Sequence, residues 1–229
     1  YAGDYARAAD SDLFLITAGL RRKPDESRLE LINRNVGLFK QILDSLAGVK
    51  LADGATILVV SNPVDILTHL AVQRGLLPPS QVVGLGTVLD TCRFRSMLAD
   101  HFKVAATDIQ ALILGEHGDS MVPLPRYSTV AGVPITELIA PDRIQAIVDR
   151  TRNGGAEIVR LLQQGSAYYA PSAATIQMAE AVIRDKKRIL PCAAYCDKEY
   201  GVGGYFVGVP CILGTAGVER IIEVELDLQ

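Results

Sequence analysis

Histidine, cysteine and surplus positive charge are all scarce in this chain, and each shortage closes off a class of function. With 23 Lys and Arg against 26 Asp and Glu, the formal net charge is −3. No dense basic patch interleaved with aromatics offsets that balance, so nucleic-acid binding is not expected, while a small anionic ligand stays open. The longest apolar runs, such as "ATILVV" and "ALIL", are strand-sized and far short of the roughly 20 residues that cross a bilayer. The first residues lack the basic-then-apolar order of a secretory signal. No membrane partner is expected. The four Cys (Cys92, Cys192, Cys196 and Cys211) form no CxxC pair, and the gap in "CAAYC" suits neither a zinc knuckle nor a redox motif. The expectation is free, mostly buried thiols in a reducing, cytoplasmic setting, with no metal site.

What the chain does have is apolar mass: 49% of its 229 residues are hydrophobic, enough for one large domain or two modest ones. Short buried runs alternate with helical patterns. "DLFLITAG", "ATILVVSNP" and "QVVGLG" read as strands separated by helices, an order that implies a parallel sheet. In the first long helix Leu29, Ile32, Val36, Phe39, Leu43 and Leu46 recur at three- and four-residue steps before Gly48. That stripe is expected to lie on the sheet. "TVLDTCRFRSMLADHF" reads as a helix and "DIQALILG" as one strand. Two more helical stretches follow, then "ILPCAAYC", "YFVGVPCILG" and "IIEVELDL" as strands of an antiparallel sheet. The fold class is therefore α/β, with residues 1–84 forming a parallel-sheet unit and 85–229 an α+β unit.

Open parallel sheets bind ligands at the carboxyl ends of their strands. Here those ends read "TAG", "VSNP" and "GLG", small and polar where a ligand would lie. "GLGTVL" offers GxG but has Leu89 in place of a third glycine, so strand exit is the better reading. The loop "GLRRKPDESR" packs four cations into eight residues; it is either a solvated loop or a mobile cationic lid over the same sheet end. Asp90 and Arg93 stand three apart on one helix face, as a surface ion pair or as a carboxylate-gripping site. Of the three His, His69 and His101 sit in ordinary helical surroundings, whereas His117 occupies the glycine-flanked turn "GEHGDS" directly after an apolar run.

Taken in order, "ITAGLRRKPDESR", "NPVDILT", "GLGTVLDTCRFR" and "GEHGDS" resemble the lactate/malate dehydrogenase family, and the similarity runs from residue 1 to 229. The resemblance implies a Rossmann-type parallel sheet followed by a catalytic α+β domain. It implies NAD as cofactor and a homo-oligomer, dimer or tetramer. His117 would exchange a proton with the substrate oxygen, and Asp90 would fix the imidazole tautomer. Arg28 would polarise the reacting carbonyl, Asn62 would hydrogen-bond its oxygen, and Arg93 would grip the C1 carboxylate. Thr17, Ala18, Gly19, Asn35, Val60, Ser61 and Asn62 would line the cofactor.

The resemblance also bears on substrate. Arg22 matches the loop position where the family's lactate enzymes typically carry Gln and its malate enzymes Arg, so a dicarboxylate such as malate or oxaloacetate is the expected partner. Ala167 in "GSAYYAP" points the same way. "DESR", by contrast, is nearer the lactate-type loop, and Arg21 stands where Pro is frequent, which keeps pyruvate and lactate as an alternative. The family's opening strand, its GxGxxG turn and its ribose-reading acid are expected to precede Tyr1, and a final helix to follow Gln229. A noncatalytic remnant of the fold is the third reading.

Overall fold

The computed structural model describes residues 3–20, 25–163 and 167–226. Three of the apolar runs become parallel strands: β1 (Leu13–Ile16), β2 (Thr56–Val59) and β3 (Val82–Gly84), paired in that order. All four residues of β2 are buried, as expected of a central strand covered on both faces. Between the strands run α1 (Arg28–Ala47) and α2 (Val64–Gln73). The apolar stripe expected on the first helix is real only in part. Phe39, Leu43 and Leu46 are buried, whereas Leu29, in the first turn of α1, is 66% exposed.

Beyond β3 come α3 (Val88–Phe102), β4 (Ile109–Gln110), β5 (Ile113–Gly115), β6 (Met121–Pro123), β7 (Thr129–Val130) and β8 (Val133–Pro134). The helices α4 (Ile135–Leu138), α5 (Pro141–Leu162) and α6 (Tyr169–Ile183) precede β9 (Arg188–Cys196), β10 (Tyr205–Gly214) and β11 (Gly217–Ile221). The single strand expected from "DIQALILG" is two: β4 joins a small sheet with β7 and β8, while β5 pairs with β10. At the break the Leu112 N–H donates to Ser128 Oγ, so the peptide leaves one ladder without an orphaned donor. The last strand also differs from expectation, since β11 stops at Ile221 and not within the charged run that follows.

The parallel and antiparallel strands form one sheet. β9 and β10 make a long hairpin, and β9 is joined to β3 through the pair Gly84 and Ala193. Gly86 makes this junction possible. Its φ is +53°, and a Cβ there would overlap the backbone of Ala193, so only glycine permits the approach. The "GLG" segment therefore has a packing reason that needs no phosphate.

Three cores hold the elements. Phe14, Phe39, Leu43, Ile57 and Leu67 pack α1 and α2 on one sheet face. Leu58, Val83, Met178, Cys192 and Cys211 fill the other. Phe94, Leu98, Ile113, Ile144 and Val148 join α3 and α5. All four thiols are free, with Cys192, Cys196 and Cys211 buried. Among the described residues no helix is long and apolar enough to cross a membrane, and no His, Cys, Asp and Glu cluster could hold a metal ion.

Candidate active site at the strand ends

The carboxyl ends of β1, β2 and β3 open on a cleft of about 900 Å³. Thr17 and Gly19 reach it just after β1, Val60, Ser61 and Asn62 just after β2, and Leu85 and Gly86 just after β3. Parallel strands bring this about because they all point the same way, so their polar exits collect along one edge. Two hydrogen bonds fix that edge. Ser61 Oγ donates to the Ala18 carbonyl at 2.6 Å, which ties the end of β2 to the end of β1. The buried side chain of Asn35 accepts from the Leu20 N–H at 2.7 Å, anchoring the chain where the cationic loop begins.

Arg28 lines the cleft as the first residue of α1. Its position is set by a capping box: Ser27 Oγ accepts from the Glu30 N–H, and the Glu30 carboxylate accepts from the Ser27 N–H. This arrangement satisfies two donors that a helix start leaves unpaired. Just before it Glu26, 8% exposed, accepts from Arg34 at 2.6 Å. Arg22, the loop arginine expected to read the substrate's second carboxylate, lies outside the described residues.

On the opposite wall His117 enters from the turn between β5 and β6. Its Nδ1 lies 2.6 Å from Asp90 Oδ2, and the Asp90 side chain is only 3% exposed. A carboxylate that close accepts the Nδ1 proton and leaves Nε2 as the nitrogen open to a ligand. Such an imidazole can donate and recover one proton while its charged form is steadied from behind.

Arg93 stands apart from the cleft-lining residues. Its Nη1 is 3.7 Å from Asp90 Oδ1, its side chain is 10% exposed, and its buried Nε has no hydrogen-bond partner. Burial draws the guanidinium below its usual basicity, and the Asp90 carboxylate opposes that. On its other side lie Gly154 and Gly155 of α5, where a Cβ at Gly155 would meet Nη1 and Nη2 at 3.6 and 3.7 Å. The structure thus gathers Thr17, Gly19, Asn35, Val60, Ser61, Asn62, Arg28 and His117 around one space. Asp90 sits behind the imidazole with Arg93 beside its carboxylate, and Ala18 contributes its carbonyl to the rim.

Several cleft residues escaped the sequence reading. Asp65 and Glu116 line it, as do Tyr168 and Thr175. Asp65 lies within "NPVDILT" and reads there as an ordinary acid in a helix's first turn. The Gly154–Gly155 pair, at odds with helix propensity inside a 22-residue helix, was the available signal for a close neighbour.

The model of the lactate/malate dehydrogenase NAD binding domain matches residues 1–84, and that of the family's alpha/beta C-terminal domain matches residues 87–229. The chain belongs to the lactate/malate dehydrogenase family. Among curated members of that family, the malate dehydrogenase of Roseiflexus castenholzii is 50% identical over 224 residues, spanning 98% of this chain and 72% of its own. That of Rhodopirellula baltica is 52% identical over 223 residues, or 97% and 70%. Among solved structures, malate dehydrogenase from Salinibacter ruber superposes with a TM-score of 0.91 at 47% identity, covering 98% of this chain and 70% of that one. Lactate dehydrogenase from Eimeria maxima with NADH and oxamate gives 0.91 at 36% identity, covering 99% and 70%.

NAD is this family's cofactor, and the residues present fit a flat group of that kind. The cleft combines apolar walls from Leu15, Ile32 and Val64 with the polar exits of β1 and β2. At Gly19 the backbone stands open, with a Cβ meeting only Asn35 Oδ1 at 3.8 Å. A flat ring bearing one carboxamide needs this mixture of apolar wall and few, fixed polar groups.

Proposed function

We propose that this chain works as a malate dehydrogenase, interconverting malate and oxaloacetate with NAD. The single observation that carries the reading is the buried Asp90 carboxylate 2.6 Å from His117 Nδ1, on a cleft that Arg28 and Asn62 also line. When bound, NADH supplies a hydride to the substrate's carbonyl carbon. His117 gives its Nε2 proton to the carbonyl oxygen as negative charge gathers there, and in the reverse direction takes it back. Asp90 keeps the proton on Nδ1 and stabilises the imidazolium. Arg28 and Asn62 hold the same oxygen, and their interaction strengthens as charge develops, which lowers the barrier and not merely the binding free energy. Arg93 receives the C1 carboxylate as a planar fork.

Arg22 selects the dicarboxylate. Oxaloacetate neutralises it, whereas pyruvate presents a methyl group to a desolvated guanidinium, at a cost of several kcal/mol. Steady-state rates of NADH oxidation by the full-length protein test this: oxaloacetate is expected to turn over faster than pyruvate, and Arg22→Gln to reverse or erase the preference. Unchanged selectivity in that variant removes Arg22 from the argument. A lactate dehydrogenase is the second reading, favoured by "DESR", and faster turnover of pyruvate would establish it. A chain that turns over neither is a noncatalytic remnant.

The working form is proposed as a cytoplasmic homo-oligomer, dimer or tetramer, serving the tricarboxylic acid cycle. Tyr169 and Ile183, near the two ends of α6, are 80% and 66% exposed, apolar surface of the kind that subunit contacts bury. Native mass measurement checks the stoichiometry.

A further inference from the structure

Asp65 is a carboxyl group for which the reaction as described has no use. It occupies the first turn of α2 and lines the cleft that holds His117, Glu116 and Asn62. Its Oδ1 is buried and meets no hydrogen-bond donor. A carboxylate oxygen that is buried and unpaired is costly. We propose that Asp65 is a positioning residue for catalysis: a carboxyl group lining the same cleft as Glu116 and His117, kept protonated when a dianionic substrate enters. The inference rests on the malate/oxaloacetate reading above.

The charges around Asp65 support this. Its carboxyl is raised to about 7, chiefly by burial and then by the Glu116 carboxylate, with His117 opposing both. Asp90 faces the far side of the imidazole, and Arg28 lines the cleft from α1. On Asp65's own helix His69 is turned elsewhere, its Nε2 within 2.9 Å of the Gln73 amide nitrogen and its ring beside Tyr205. Near neutral pH, therefore, the Asp65 carboxyl gains or loses its proton. With that proton present the cleft offers a neutral acid and the Arg28 guanidinium, which a dicarboxylate can join. Loss of the Asp65 proton puts a carboxylate into a cleft that already holds Glu116 and must admit two more.

Asp65→Asn keeps the shape of the protonated acid and removes its ionisation. In the full-length protein, kcat/KM for oxaloacetate with saturating NADH is expected to fall on the alkaline side with an ionisation at about pH 7 that the variant lacks. Accordingly, the ratio of variant to unmutated kcat/KM rises on the order of tenfold from pH 6 to pH 8, carried by KM and not by kcat. A ratio that stays constant over that range overturns the proposal. A spectroscopic test needs no substitution: in protein labelled with ¹³C at aspartate carboxyl groups, one resonance should titrate near neutrality and move to its protonated position when tartronate, an unreactive dicarboxylate, is added. If every aspartate titrates below about pH 5, Asp65 carries no such proton. Absence of turnover with oxaloacetate would instead overturn the functional reading, and the tartronate titration would still decide the state of Asp65.

Discussion

The Asp90 and His117 side chains form a pair whose members need each other, and their substitution tests the proposed chemistry at its smallest scale. His117→Asn retains a polar side chain but no transferable proton at neutral pH, so kcat is expected to fall on the order of a thousandfold. Asp90→Asn leaves the imidazole in place and releases its tautomer. Its expected loss is about a hundredfold or more in kcat/KM, with circular dichroism unchanged. A variant of either kind that keeps its rate would show that the 2.6 Å contact is structural. "GEHGDS" and the Asp90–Arg93 spacing were legible in the sequence as unusual residues in particular settings. Spacing could not tell a surface ion pair from a buried one, since i and i+3 share a helix face wherever the helix lies.

At the scale of elements, two devices place the site. The Ser27–Glu30 capping box starts α1 at Arg28; Ser27→Ala is expected to cost about 1 kcal/mol and, because Arg28 then frays with the first turn, to raise KM for oxaloacetate severalfold. Thermal melts and steady-state kinetics on one preparation check both. Gly86 is the second device. Gly86→Ala forces an L residue to φ +53° and drives its Cβ into Ala193. A loss of about 3 kcal/mol or more is expected, measured by denaturant titration. A milder effect would mean that β3 and β9 separate readily. The strands and long helices here were readable because their periodicity follows from burial on one or two faces. The split of "DIQALILG" was not, because a strand changes sheets according to which neighbours arrive, and those come from residues 129–130 and 205–214.

For the whole molecule, Asp65 links stability to pH. Its carboxyl lies at about 7 when folded against 3.8 ordinarily. A raised acid favours the folded state while protonated, so its contribution is complete below about pH 4 and is lost as pH climbs to about 7. Above that the chain carries the full penalty, at most about 4 kcal/mol. The melting temperature of Asp65→Asn relative to the unmutated protein is therefore expected to rise between about pH 4 and about 7 and then level off. A flat difference across that window would place Asp65 in contact with water.

The sequence alone determined the alternation of strands and helices, the sheet edge at which a ligand would lie, the free thiols and the membership of a dehydrogenase family. Each of these is written in local order: periodicity, punctuation by glycine and proline, and runs of residues around reactive groups. The tertiary structure alone decided that the parallel and antiparallel strands are one sheet, that Arg93 rests against two glycines of a distant helix, and that Asp65 faces inward without a donor. Those facts depend on which surfaces meet across long stretches of chain. Burial and charge at a residue are set by neighbours in space, which local sequence does not specify.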